Sequence, residues 1–129
     1  MQAAKRIIAA DIPVLYIKTT PLMNEHIPDC LAKEVVRNPG SPNLSACSED
    51  KRRGIKKSSP VDDAASVFPI MRGLAFDDFF CLNNTCLPVI SNVVVYRDTH
   101  HLTKWYALSL APVLEQKLVE AAPHLKSVK

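Results

Sequence analysis

Apolar residues gather in separate clusters along this chain, and the spacing inside each cluster predicts an element. Ala4, Ile7 and Ile8 share one face of a helix over residues 1–10, and the compact run IPVLYI at 12–17 predicts a buried strand. From 18 to 60 the pattern dissolves into polar, proline-rich sequence that includes NPGSPN. This stretch predicts a long loop region with one short helix over 30–38. Loops of that length are usually either functional or disordered. Ser59 then offers an N-cap, Pro60 a first helical residue, and Asp62 and Asp63 negative charge in the first turn, for a helix closing at Gly73. Residues 74–80 predict a second strand and residues 92–96 a third or an extended segment. Thr103 can cap a last helix whose apolar positions Tyr106, Leu110, Val113, Leu114 and Leu118 recur at three- and four-residue spacing. Pro112 must kink that helix or begin its second segment.

Helix, strand, helix, strand, loop and helix in this order predict an α/β class with a mostly parallel sheet covered by helices. A length of 129 residues is that of one small domain, so a single core is expected, and no internal repeat interrupts it. The net charge of +3 is concentrated in EDKRRGIKK, too little and too local for a nucleic-acid footprint. That basic run reads as a solvated loop, with contact to anionic headgroups the alternative.

No apolar run approaches the roughly 18 residues that a membrane span needs. The opening MQAAKRIIAADIPVLYI breaks its apolar core with Asp11 and Pro13, so no export signal is expected there. The cysteines point the other way. Cys81 and Cys86 bracket the polar turn CLNNTC, and Cys30 and Cys47 flank a Pro/Gly/Ser/Asn-rich stretch, an arrangement that reads as two local staples from an oxidising compartment. The sequence leaves their connectivity open, with free thiols, or a zinc site shared with His26, His100 or His101, as alternatives. Zinc is disfavoured because no C-x-x-C pair occurs. Staples without an export signal are expected when a chain is part of something longer.

The densest chemistry lies in VVVYRDTHHLTKWY. A carboxylate that fixes the tautomer of an imidazole and stabilises its protonated form turns the other ring nitrogen into a general base. Asp98 and His101 are near enough to do this across one tight turn, although an acid three residues from a histidine at a helix start is more often a cap or a surface pair. Tyr96, Trp105 and Tyr106 read as core packing, with an acyl pocket as their alternative use.

The longer stretch CLNNTCLPVISNVVVYRDTHHLTKWYALSLAPVLEQKL resembles the end of the SGNH-hydrolase-like domain attached to bacterial membrane acyltransferases, which O-acylate envelope glycans. The residues that carry the resemblance are Cys81, Cys86, Tyr96, Asp98, His101, Leu102 and Thr103. Upstream, AADIPVLYIKTTPLM and IPDCLAKE resemble earlier parts of the same domain more loosely, and the loop at Lys18 to Thr20 takes no role from it. The resemblance implies a three-layer α/β/α fold of the SGNH or flavodoxin-like kind, of which residues 1–129 form the C-terminal, incomplete part. It implies that His101 is the catalytic histidine and Asp98 its orienting acid, with His100 at a variable position. It implies an envelope glycan and an acyl donor as partners, a membrane acyltransferase domain upstream, and an extracytoplasmic, membrane-associated location. No cofactor and no metal is expected.

The family's serine comes from a Gly-Asp-Ser block, and none is present. Of Gly40, Gly54 and Gly73, only Gly40 precedes a serine, inside a turn, and no Gly-x-Ser-x-Gly elbow occurs. A base without its nucleophile and oxyanion donors should leave the chain inactive alone. The rival expectations are a non-catalytic, exported, disulfide-bonded binding module that uses the 18–60 region, and a fragment that does not fold.

Overall fold

The computed structural model describes residues 5, 6, 9, 10, 12–56 and 58–123. The helix expected over 1–10 lies largely outside them. The chain separates into two compact units: Met1–Thr19, Lys57–Ala75 and Val113–Lys129 form the first, and Thr20–Lys56 and Phe76–Pro112 the second.

In the first unit, β1 (Val14–Ile17) pairs in parallel with β3 (Met71–Leu74), Tyr16 standing opposite Gly73. The expected strand at 12–17 is therefore present, but it is half-buried at best, with Ile17 59% exposed. Helix α3 (Pro60–Val67) starts as its sequence dictates. The Ser59 hydroxyl accepts from the Asp62 N–H, and the Asp62 carboxylate accepts from the Ser59 N–H, which satisfies two donors that a bare helix end would leave unpaired.

The end of α3 differs from expectation. It stops at Phe68, not Gly73, because Phe68 precedes Pro69, whose ring excludes helical backbone at the residue before it. Phe68 accordingly sits at φ −114°, ψ 99°. The chain is thus extended by Met71, and the strand expected at 74–80 is displaced to Met71–Leu74. Residues Asp77–Phe79 form a 3-10 turn instead. Gly73, expected as a helix stop, is needed for space: a β-carbon there would lie 2.8 Å from the ring and hydroxyl of Tyr16.

The second unit holds most of the buried side chains, Ile27, Phe80, Val95, Tyr96 and Tyr106 among them. Its first element, α1 (Ile27–Arg37), begins three residues before the helix expected at 30–38, with Pro28 and Asp29 in its first turn and Arg37 in its last, as the helix dipole favours. Ile27, Cys30 and Glu34 form its buried face, and buried Glu34 is neutralised by Arg37 at 2.7 Å. The 18–60 region is therefore not a structureless loop. It also contains a 3-10 turn (Leu44–Cys47), β2 (Glu49–Asp50) and α2 (Lys51–Gly54). Disulfides join Cys30 to Cys47 and Cys81 to Cys86, which leaves no free cysteine for a metal.

β4 (Cys81–Leu82) and β5 (Thr85–Cys86) make a hairpin on which β2 adds antiparallel. β6 (Val89–Ile90) and β7 (Val93–Val94) make a second hairpin. Both hairpins have two-residue loops with both central residues at positive φ, Asn83–Asn84 (47° and 65°) and Ser91–Asn92 (50° and 62°). That geometry matches the right-handed twist of the flanking strands and suits asparagine. The last helix divides as its proline requires, into α4 (Lys104–Ser109) and α5 (Ala111–Ala121). Pro112 stands in the first turn of α5, where its missing N–H costs nothing. In the first unit, the Arg72 guanidinium donates to the Ala121 carbonyl.

The class is mixed α/β. Among the described residues β1–β3 is the one parallel pair and every other pairing is antiparallel, so these residues do not by themselves build the expected mostly parallel sheet. No helix among them is long and apolar enough to cross a membrane.

Candidate functional site

The site is a loop of residues 95–103 in the second unit. Its neck is closed by the backbone: the Thr103 N–H donates to the Val95 carbonyl at 2.9 Å, Tyr96 bridges to Leu102, and the Arg97 N–H donates to the His101 carbonyl at 2.9 Å. Thr103 serves both sides of the neck. Its hydroxyl donates to the Val94 carbonyl at 2.6 Å and accepts from the Tyr106 N–H at 3.2 Å, capping α4 as the sequence predicts.

Asp98 organises the tip. Its Oδ1 accepts from the backbone N–H groups of His100 and His101, both at 2.8 Å, the local turn that a short acidic side chain favours. Its Oδ2 stands 2.6 Å from Nδ1 of His101. The two backbone donors, followed by the imidazole contact, hold the Asp98 carboxyl well below the usual carboxylate range, so it is ionised at neutral pH. An ionised acid against Nδ1 selects the tautomer with its proton on that nitrogen. Nε2 is then left as a lone-pair acceptor on a side chain that is 53% exposed. Among the described residues no serine hydroxyl hydrogen-bonds to His101.

The loop is held from outside by a segment to which the sequence assigned no role. The Ile27 N–H donates to the Asp98 carbonyl at 3.4 Å, the Met23 N–H to the Thr99 carbonyl at 2.7 Å, and the Thr20 hydroxyl to the His100 carbonyl at 2.7 Å. With Arg97 on the His101 carbonyl, four consecutive carbonyls at the tip have donors. The missed residues are thus Thr20 and Met23. Nothing in their local sequence marks them, because their partners lie more than seventy residues away.

Tyr96 and Tyr106 form the floor beneath the loop, packed on Phe80, with ring centroids at 6.3 and 5.9 Å from it. Both are core, as expected. Burial pushes both phenols up, and among the described residues the Tyr96 hydroxyl has no hydrogen-bond partner, whereas that of Tyr106 donates to the Phe79 carbonyl. Trp105 departs from expectation. It is 70% exposed, next to a helix cap that turns Tyr106 inward, and it carries Lys104 over its ring. His100, beside the dyad, stacks on His101 with ring centroids 4.0 Å apart.

A family model described as "SGNH domain (fused to AT3 domains)" matches residues 1–116. No curated protein and no solved structure gives a significant match.

Proposed function

Since this chain belongs to the family of SGNH domains fused to AT3 domains, we propose that it supplies the acid and the base of a Ser-His-Asp acyl-transfer site. The observation that carries the reading is the 2.6 Å contact between Asp98 and Nδ1 of His101, on a side chain that is 53% exposed. In the complete enzyme a serine from a Gly-Asp-Ser block attacks the acyl carbonyl while Nε2 of His101 takes the hydroxyl proton. Asp98 keeps the ring oriented and offsets the positive charge that forms on it. Collapse of the tetrahedral intermediate expels the donor's leaving group, which receives that proton. A sugar hydroxyl of an envelope glycan then gives its proton to His101 and attacks the acyl-serine, and collapse releases the ester product while the serine oxygen takes that proton back from His101.

The residues that would complete the site also complete the fold. With that block present, the fold is a three-layer α/β/α domain with a mostly parallel sheet. Two disulfides favour an extracytoplasmic position, joined to a membrane acyltransferase domain. Among the described residues no serine hydroxyl hydrogen-bonds to His101, so the 129 residues alone should turn over no ester.

The test pairs this chain with the segment carrying the Gly-Asp-Ser block and measures both ester cleavage and labelling by a fluorophosphonate. Labelling that His101→Ala abolishes supports the reading. Turnover unchanged by His101→Ala removes His101 from the chemistry, and an unlabelled but folded pair favours a binding module.

A further inference from the structure

His100 adds a third donor to the Asp98–His101 pair, and we infer that these three side chains form a capture site for a transition-metal ion of borderline softness, with Zn2+ its best-suited occupant. One ligand atom from each of Asp98, His100 and His101 lies within 4.8 Å of the others. Zinc bonds to nitrogen and oxygen of about 2.0–2.2 Å place tetrahedral donors about 3.4 Å apart, so closure asks for roughly 1 Å of travel by the ring atoms. The rings can supply it, since the His100 and His101 side chains are 48% and 53% exposed.

The carboxylate does not need to move, because two backbone N–H groups already aim it. The two imidazoles are stacked at a 38° tilt, and Thr99 Oγ1 stands 3.0 Å from Nδ1 of His100. Hydrogen bonds of this kind fix the orientation of metal ligands in general. Two imidazoles and one carboxylate suit Zn2+, Cu2+ or Ni2+ in preference to Mg2+ or Ca2+, and three protein ligands leave the fourth position to water.

The ion and a proton compete for the same atoms. A metal held by His101 occupies a ring nitrogen that proton transfer needs, so the ring can no longer relay protons while the ion is bound. The site is therefore a reversible block placed on the dyad itself. The ligation stands on the three side chains alone, and only its effect as a block rests on the acyl-transfer reading.

The experiment titrates the 129-residue chain with ZnCl2 in a non-chelating buffer, read by calorimetry and by the carbon-bound proton signals of the histidine rings. His100 and His101 should shift together and saturably, His26 should stay in place, and Mg2+ should shift none of them. His100→Gln, its fold verified by an unchanged amide spectrum, should weaken Zn2+ binding by about tenfold or more. Urea sufficient to unfold the chain should abolish the binding. Equal affinity in His100→Gln, shifts on His26 alone, binding retained in urea, or no ring shift at millimolar Zn2+ would each overturn the inference.

Discussion

Oδ2 of Asp98 stands 2.6 Å from Nδ1 of His101 while Oδ1 of the same carboxylate accepts the His101 backbone N–H at 2.8 Å. One acid thus shapes the turn that carries the histidine and aims its ring. Separating the two roles gives the sharpest test. In Asp98→Asn the amide oxygen still closes the turn, but the amide N–H faces Nδ1 and forces the ring proton onto Nε2. In the serine-bearing protein, ester turnover should fall by on the order of 10³–10⁴-fold. The circular dichroism spectrum and thermal midpoint should barely change, whereas Asp98→Ala should lower the midpoint as well.

Gly73 faces Tyr16 across the parallel pair with no room for a side chain. Gly73→Ala should destabilise the first unit by about 1–3 kcal/mol, the usual range for an overpacked contact that must be relieved by shifting a neighbour. Hydrogen exchange at the amides of β1 should quicken, and urea unfolding monitored there should shift to lower denaturant. Unchanged exchange would mean that Tyr16 simply swings away.

The Cys30–Cys47 bond closes a loop with a sequence separation of 17 and ties α1 to the 3-10 turn after it. Chain-entropy reasoning for a loop of that size puts the loss in the double Cys→Ser variant at about 3 kcal/mol. Chemical denaturation of the oxidised, reduced and substituted chains should give that difference, and the latter two should agree.

Asp62 supplies an acid-sensitive contact. A hydrogen bond from Tyr16, then the Ser59 cap, with Lys18 adding to them, lower its carboxyl from 3.8 to about 2. A depressed carboxyl stabilises the fold above its unfolded value and loses that contribution as pH falls through the folded one. Stability of the first unit should therefore decline between pH 3.8 and about 2. Asp62→Asn should be less stable at neutral pH and flatter over the same interval, as denaturation at a series of pH values would reveal. A parallel decline in both proteins would place the acid sensitivity elsewhere.

The sequence by itself determined what short-range chemistry controls. The caps at Ser59 and Thr103 each need one side chain and an N–H three residues on, the break before Pro112 follows from a missing donor, and the Asp98 to His101 contact spans a single turn. The cysteine staples were legible for the same reason, since each joins ends of one short loop. The end of α3 was legible too, at the residue before Pro69, but only the tertiary structure placed Gly73 in a strand, opposite Tyr16. It also decided which neighbour faces inward, Tyr106 and not Trp105. Above all it recruited Thr20, Met23 and Ile27 to the carbonyls of residues 98–100. Neither a backbone N–H nor a threonine hydroxyl carries a mark of a partner more than seventy residues distant, and only the packed chain brings them within hydrogen-bond reach.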